Sequence, residues 1–155
     1  MPLVIKEIPT DKAMFLVPLL LETEEGEERV RARVRDATST MYASWLDGQL
    51  VGAAIVRWEE DKPSEIVYVV VPYDLHGKGY GTQIIRFLQA ELRRRGGHTL
   101  LAGTTNASLG NIVFYQKCDF RMFEVRRDYF AYIQPPIDEY GIVLYDMLVF
   151  RYDAE

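Results

Sequence analysis

The sequence predicts an α/β fold of the α+β kind, and three observations carry that prediction. Residues 65–82 read as a buried strand, a glycine-crowded loop and the start of a helix. Two apolar runs, Thr38 to Trp45 and Leu50 to Trp58, flank Asp47-Gly48, a dipeptide that favours a tight hairpin turn. Ile85, Leu88 and Leu92 recur at helical spacing with Ile84 beside them, while Arg86, Arg93 and Arg94 fall off that line.

The remaining elements follow in order. Leu3 to Ile8 alternates apolar and charged residues and stops at Pro9, which suits a first strand. Thr10 or Asp11 can cap a helix over Lys12 to Leu21. Glu22 to Glu28 holds five acids in seven residues, and a second helix runs on through Arg35 with Val30 and Val34 facing inward. Asp61-Lys62-Pro63 leads into the strand that begins at Glu65. Beyond the glycine loop, Gly96-Gly97 stops a helix and His98 to Thr104 is the next strand. Asn106-Ala107-Ser108 makes a loop and cap for a helix that carries Tyr115. Phe120 to Phe130 and Ile142 to Arg151 are two further strands. Gln134 to Gly141, polar and proline-rich, fits neither element. The order is β, α, α, β, β, β, α, β, α, β, β, with no internal repeat.

Composition narrows the function classes. A chain of 155 residues with 48% hydrophobic content predicts one domain, residues 1–155, with a full core. A net charge of −5 argues against nucleic acid as a partner, because a domain that grips phosphate backbones carries a basic face. Cys118 is the one cysteine, which excludes an internal disulfide and a multi-cysteine metal site; no metal is expected. The N-terminal residues show no basic region followed by a long apolar run, and no apolar stretch approaches membrane-spanning length. The expectation is a cytoplasmic protein with no membrane partner, as a monomer or homodimer.

The loop at Gly77, Gly79 and Gly81 is built for an anion. Glycines let the backbone turn tightly and approach a ligand closely. The first turn of a helix offers free N–H groups with the positive end of the dipole behind them. A phosphate there is bound without a basic side chain. The spacing excludes two common ligand loops. A P-loop needs two glycines five apart followed by Lys and Ser or Thr, and a dinucleotide fingerprint needs G-x-G-x-x-G; this chain has G-x-G-x-G.

His76-Gly77-Lys78-Gly79-Tyr80-Gly81 instead resembles the acetyl-CoA loop of the Gcn5-related N-acetyltransferase (GNAT) superfamily, Gln/Arg-x-x-Gly-x-Gly/Ala after a hydrophobic strand. His76 departs from that pattern at its first place. Phe114-Tyr115-Gln116-Lys117-Cys118-Asp119-Phe120 resembles the second signature of the family, a helix with Leu/Phe-Tyr that ends in Gly-Phe. Asp119 stands in place of the glycine, at a helix end where Asp tolerates a left-handed backbone. Glu65 matches a glutamate that opens the same strand in the histone-acetylating branch. The resemblance covers roughly residues 50 to 125, and more loosely the whole chain.

The resemblance implies the GNAT fold: a mixed, largely antiparallel sheet splayed into a V between the Glu65–Val71 strand and the 98–104 strand, with helices on both faces. It implies acetyl-CoA as co-substrate and direct acetyl transfer to a primary amine. The pantetheine arm would lie in the V against the backbone of Val69, Val70 and Val71, with the N–H of Val69 or Val70 as oxyanion donor. Its phosphates would meet His76, Gly77, Lys78, Gly79, Tyr80, Gly81 and Thr82. Glu65 would take the ammonium proton, directly or through water, and Tyr115 would protonate the leaving thiolate. Asn106 would reach the pantetheine, unless Ser108, at the usual distance before Tyr115, takes that place. The acidic segments at Glu22–Glu28 and at Asp138 and Glu139, with the aromatics Tyr129, Phe130, Tyr132 and Tyr140, point to a small cationic acceptor, aminoglycoside- or polyamine-like. A non-catalytic acyl-CoA-binding regulatory module and a protein lysine or N-terminal acetyltransferase are the alternatives.

Overall fold

The computed structural model describes residues 2–23 and 26–155. Its centre is a seven-stranded sheet in the order β1-β2-β3-β4-β5-β9-β6. The strands are β1 (Val4–Ile8), β2 (Thr40–Leu46), β3 (Gln49–Arg57), β4 (Ser64–Val70), β5 (Thr99–Thr105), β6 (Arg121–Arg126) and β9 (Met147–Asp153). Every neighbouring pair is antiparallel except β4 and β5. The β2–β3 turn uses Asp47 and Gly48, both at positive φ (50° and 80°), the conformation a two-residue hairpin needs to match strand twist.

Helices cover both faces. α1 (Val17–Leu20) and α2 (Glu27–Arg35) bury Leu20, Val30 and Val34 against Met41, Ala43, Ala53 and Ile55 of β2 and β3. On the other face, α3 (Tyr80–Arg94) and α4 (Leu109–Lys117) bury Ile84, Ile85, Leu88, Leu92 and Tyr115 against Ile66, Leu100, Ala102 and Phe150. α4 ends as the sequence anticipates, with Asp119 left-handed at φ 71°. There the N–H of Phe120 bonds to the carbonyl of Tyr115 and that of Asp119 to Gln116, the paired bonds of a Schellman cap. Arg86 of α3 reaches Asp119 at 2.8 Å, and the buried Gln89 amide donates to the Cys118 carbonyl at 2.7 Å, so α3 and α4 are fastened at this corner.

β4 carries the feature that shapes the site. Against β3, Ile55 pairs with Tyr68 while Val56 pairs with Ile66, so Val67 is one residue too many. Such a bulge bends the strand and sharpens its twist. On its other edge β4 pairs with β5 only at Ser64, Glu65 and Ile66, opposite Leu100, Leu101 and Ala102. Beyond Ile66 the two strands part, and the sheet opens into the expected V.

Three elements differ from the sequence expectation. The helix over Lys12 to Leu21 is a chain of short turns: 3-10 turns at Thr10–Lys12, Met14–Leu16 and Leu21–Thr23 around the four-residue α1. Pro18 explains this, since a proline is accommodated only in the first turn of a helix and α1 must therefore begin beside it. The strand from Phe120 stops at Arg126, because Asp128 turns at φ 58° and its N–H is taken by the Asp146 carboxylate at 2.8 Å. The strand over Ile142 to Arg151 is two pieces. Asp138–Glu139 (β7) and Ile142–Val143 (β8) form a small separate hairpin through Tyr140 and Gly141, and β9 starts only at Met147. Two-residue strands are too short to leave an alternation in the sequence.

Candidate functional site

Where β4 and β5 part there is a cleft of about 1100 Å³. One wall is Val67 to Val71, the other Gly103 to Thr105; the glycine loop closes one end, and residues of the 129–144 segment close the other. Val69, Val70, Val71, His76, Gly77, Gly79, Tyr80, Gly81, Thr82, Glu65 and Tyr115 all line it. Lys78 and Asn106 do not.

At the glycine end the site is made of backbone. Gly77 and Gly79 sit at φ 80° and 84°, Gly79 being the left-handed residue that launches α3. The first backbone bond into α3 runs from Gln83 N–H to the Gly79 carbonyl at 3.1 Å. Among the described residues, the N–H groups from Gly77 to Thr82 therefore meet no acceptor, and the helix dipole lies behind them. A side chain at Gly81 would meet the Phe114 ring at 3.3 Å. The imidazole of His76 bonds to the Val71 carbonyl through Nε2 at 2.7 Å, which ties the loop to the end of β4. Lys78 is exposed.

Asn106 is hydrogen-bonded within the protein. Its side-chain oxygen accepts the N–H groups of Tyr145 and Asp146 at 3.0 and 3.1 Å, and its amide donates to the Val143 carbonyl at 3.0 Å. The side chain is thus committed to holding the 143–146 segment. Ser108, the other candidate, lines the cleft, with its hydroxyl 2.6 Å from that of Thr105 and 3.5 Å from Glu139. Asn111, one turn further on, also lines the cleft and donates to Thr104 at 3.2 Å.

At the other end the site is made of side chains. Glu65 lies at the point of the V, 27% exposed, with the Arg126 guanidinium 3.3 Å away. Arg126 holds Glu124 as well, at 3.0 Å. Arg57 stands opposite Glu65 in the β3–β4 ladder, and Arg33 and Tyr68 line the same region. Sequence reasoning missed Arg57, Arg126 and Asn111. The Asp47-Gly48 hairpin and the strand that follows could have flagged Arg57; nothing in the sequence flags Arg126, which is brought in from the far side of the sheet.

Tyr115 is 5% exposed and packs among Phe114, Phe120 and Phe150, with ring centroids 5.3, 5.5 and 5.7 Å away. Burial pushes its phenol far above the ordinary tyrosine range, so it stays protonated at any working pH. The hydroxyl makes no hydrogen bond among the described residues.

The acidic rim is smaller than the sequence suggested. Glu24 and Glu25 lie outside the described residues. Glu27 and Glu28 open α2, where the helix dipole favours acids, and Glu27 pairs with Arg31 at 3.3 Å. Glu22 lines the cleft but accepts the N–H of Tyr73 at 3.1 Å. Asp138 and Glu139 line the cleft with Tyr129, Phe130 and Tyr140, whereas Tyr132 lies under Arg29, 3.6 Å from its ring centroid.

Comparison with known proteins agrees with this geometry. Residues 11–120 match the model of the acetyltransferase (GNAT) family. The N-acetyltransferase YvbK of Bacillus subtilis (strain 168) is 31% identical over 108 residues, 69% of this chain and 70% of that protein. Among solved structures, the IAA acetyltransferase from Bacillus cereus ATCC 14579 superposes with a TM-score of 0.88 at 29% identity, covering 98% of this chain and 99% of that one. A Bacillus subtilis acetyltransferase in complex with CoA gives a TM-score of 0.84 at 26% identity, covering 99% of each chain. No helix among the described residues is long and apolar enough to cross a membrane.

Proposed function

We propose, since the chain belongs to the GNAT acetyltransferase family and is an acetyl-CoA-dependent N-acetyltransferase, that it moves the acetyl group directly to the primary amine of a small acceptor in the β4–β5 cleft. One observation carries the proposal: the unpaired edge of β4 beyond Ile66 runs into the acceptor-free N–H groups of Gly77 to Thr82. An extended amide-bearing arm pairs with the first, and a pyrophosphate sits on the second. Pantetheine and phosphates fit in that order, which leaves the thioester between Val69 and the point of the V. The relative solved in complex with CoA supports CoA as the ligand.

Each residue then has a role. The N–H of Val69 or Val70 stabilises the thioester oxygen as it gains charge. Glu65, directly or through water, takes the ammonium proton so that a neutral amine attacks the carbonyl carbon. As the C–S bond breaks, Tyr115 donates to the thiolate. The apolar cage that keeps its phenol protonated also strengthens that hydrogen bond. Ser108 takes the pantetheine contact that Asn106 does not make. The ammonium form of the acceptor is drawn in by Asp138 and Glu139 at the mouth, the part of the cationic-acceptor expectation that the cleft supports. A cytoplasmic setting and a one-domain chain belong to the same proposal.

The test is acetyl-CoA calorimetry followed by thiol release against a library of primary amines, with mass spectrometry of the products. One molecule of CoA and one acetylated amine per turnover are expected. Binding of acetyl-CoA with no thiol release from any small amine would sink the small-acceptor reading.

A further inference from the structure

The depth of the acceptor end is basic. Among the described residues, Arg57 and Arg126 line it beside Glu65, with Arg33 in the same wall. Of the other described acids of the cleft, Glu22 is bonded ahead of the glycine loop, Glu139 reaches Ser108 at the start of α4, and Asp138 sits beside it on the β7–β8 hairpin at the mouth.

Arg57 is the informative one. It shares a face with Glu65 as its cross-strand partner. Glu65 is nonetheless paired with Arg126, and Arg57 makes no hydrogen bond or ion pair among the described residues. Asp36 feels the charge of Arg57, but its carboxyl is held low chiefly by Thr38, whose hydroxyl and N–H bond to it at 2.6 and 2.9 Å. Arg126 spends Nη1 on Glu65 and Nε on Glu124, and its Nη2 meets no acceptor among the described residues. Two guanidinium groups therefore present open donors beside the carboxylate assigned as base. A guanidinium is a rigid fork of donors matched to an oxyanion.

We propose that Arg57, with the open Nη2 of Arg126, receives a carboxylate carried by the acceptor, so that the acceptor is an amino acid or a close amino-carboxylate. This rests on the small-amine reading above. A carboxylate held by Arg57 places the neighbouring ammonium against Glu65, and Phe130, Ile133, Ile137 and Leu144 give its side chain an apolar wall. A polyamine offers nothing to Arg57 and brings a second charge it repels.

The experiment compares matched acceptors: each amino acid, its carboxamide and its decarboxylated amine, with wild type, Arg57→Gln and Arg57→Lys, after melting and acetyl-CoA calorimetry have shown each variant folded and able to bind acetyl-CoA. At least one amino acid should surpass its carboxamide in kcat/KM by roughly 10–100-fold, the range of a charge-assisted hydrogen bond. Arg57→Gln should erase that ratio mainly through KM of the acceptor, and Arg57→Lys should restore part of it. Equal or better turnover of carboxamides and amines, or a ratio that survives Arg57→Gln, would overturn the carboxylate assignment while leaving acetyl transfer to small amines standing. No turnover of any of the three classes would overturn both.

Discussion

The two ends of the cleft are made of different material. The glycine end offers backbone: donors from Gly77 to Thr82 whose direction is set by two positive-φ glycines and a helix start. The end proposed for the acceptor offers side chains: Glu65, Arg57 and Arg126, delivered by β4, β3 and β6. Backbone donors suit a ligand common to a family, since they depend on chain path and not on side-chain identity. Side chains brought together from three strands can be exchanged one at a time, so that end is where one acetyltransferase differs from another.

Four experiments break or sharpen this contrast. The largest effect is expected at the reacting atoms. Glu65→Gln and Tyr115→Phe should each lower kcat by about 10²–10⁴-fold, the range of general acid–base catalysis, with acetyl-CoA affinity held. The Glu65→Gln rate should keep climbing with pH as free amine accumulates, and the Tyr115→Phe defect should shrink with acyl donors whose thiols are more acidic. Folded variants within about threefold of wild type, far below that range, would leave positioning alone to explain the rate.

Gly79→Val comes next. Its φ of 84° suits no β-branched residue, so the loop must re-route its N–H groups. Losing two charge-assisted bonds should weaken acetyl-CoA by about 100-fold or more in calorimetry with melting little changed. Gly81→Val should cost less, because the obstacle it meets is the Phe114 ring and not backbone. Equal affinity in both would mean that the loop is not a phosphate cradle.

Asn106→Ala asks whether that residue belongs to the cofactor or to the scaffold. Its three bonds to the 143–146 segment predict a stability loss of about 1–2 kcal/mol in denaturant unfolding. Acetyl-CoA affinity should barely move, and a large drop would return Asn106 to the cofactor. The smallest effect lies at alkaline pH. Tyr115 keeps its proton in the folded state, while an unfolded tyrosine loses it above about pH 10. Above that pH the unfolded chain binds fewer protons, so stability falls as pH rises, by at most about 1.4 kcal/mol per pH unit. Tyr115→Phe should flatten that decline in alkaline melts; an unchanged slope would mean that the phenol is more exposed to solvent than its packing indicates.

The same contrast decides what was legible in the sequence. The glycine end could be read because glycine spacing encodes a chain path, and so could the helix C-terminus at Asp119. The β2–β3 hairpin was visible in Asp47-Gly48. Arg126 was hidden, because it reaches Glu65 only through the order β5-β9-β6, which places a late strand between two earlier ones. Asn106 and Ser108 could not be told apart because an asparagine after a strand looks alike whether it faces a ligand or braces a loop. Only the fate of residues 143–146 distinguishes the two. Pro18 was visible, but the helical spacing around it outweighed it.

Val67 has a consequence for how the chain could change. A single surplus residue in β4 puts Ile66 and Tyr68 into opposite cores. Removing Val67 would bring the strand back into phase with β3, leave Ile66 and Tyr68 in their own cores by ordinary alternation, and let the strand run straight alongside β5. Point substitutions across this segment alter what the cleft prefers, whereas a one-codon deletion would abolish the cleft itself. The site therefore depends on a residue count before it depends on any residue's chemistry, and length variation in this strand should be far less tolerated than variation in its letters.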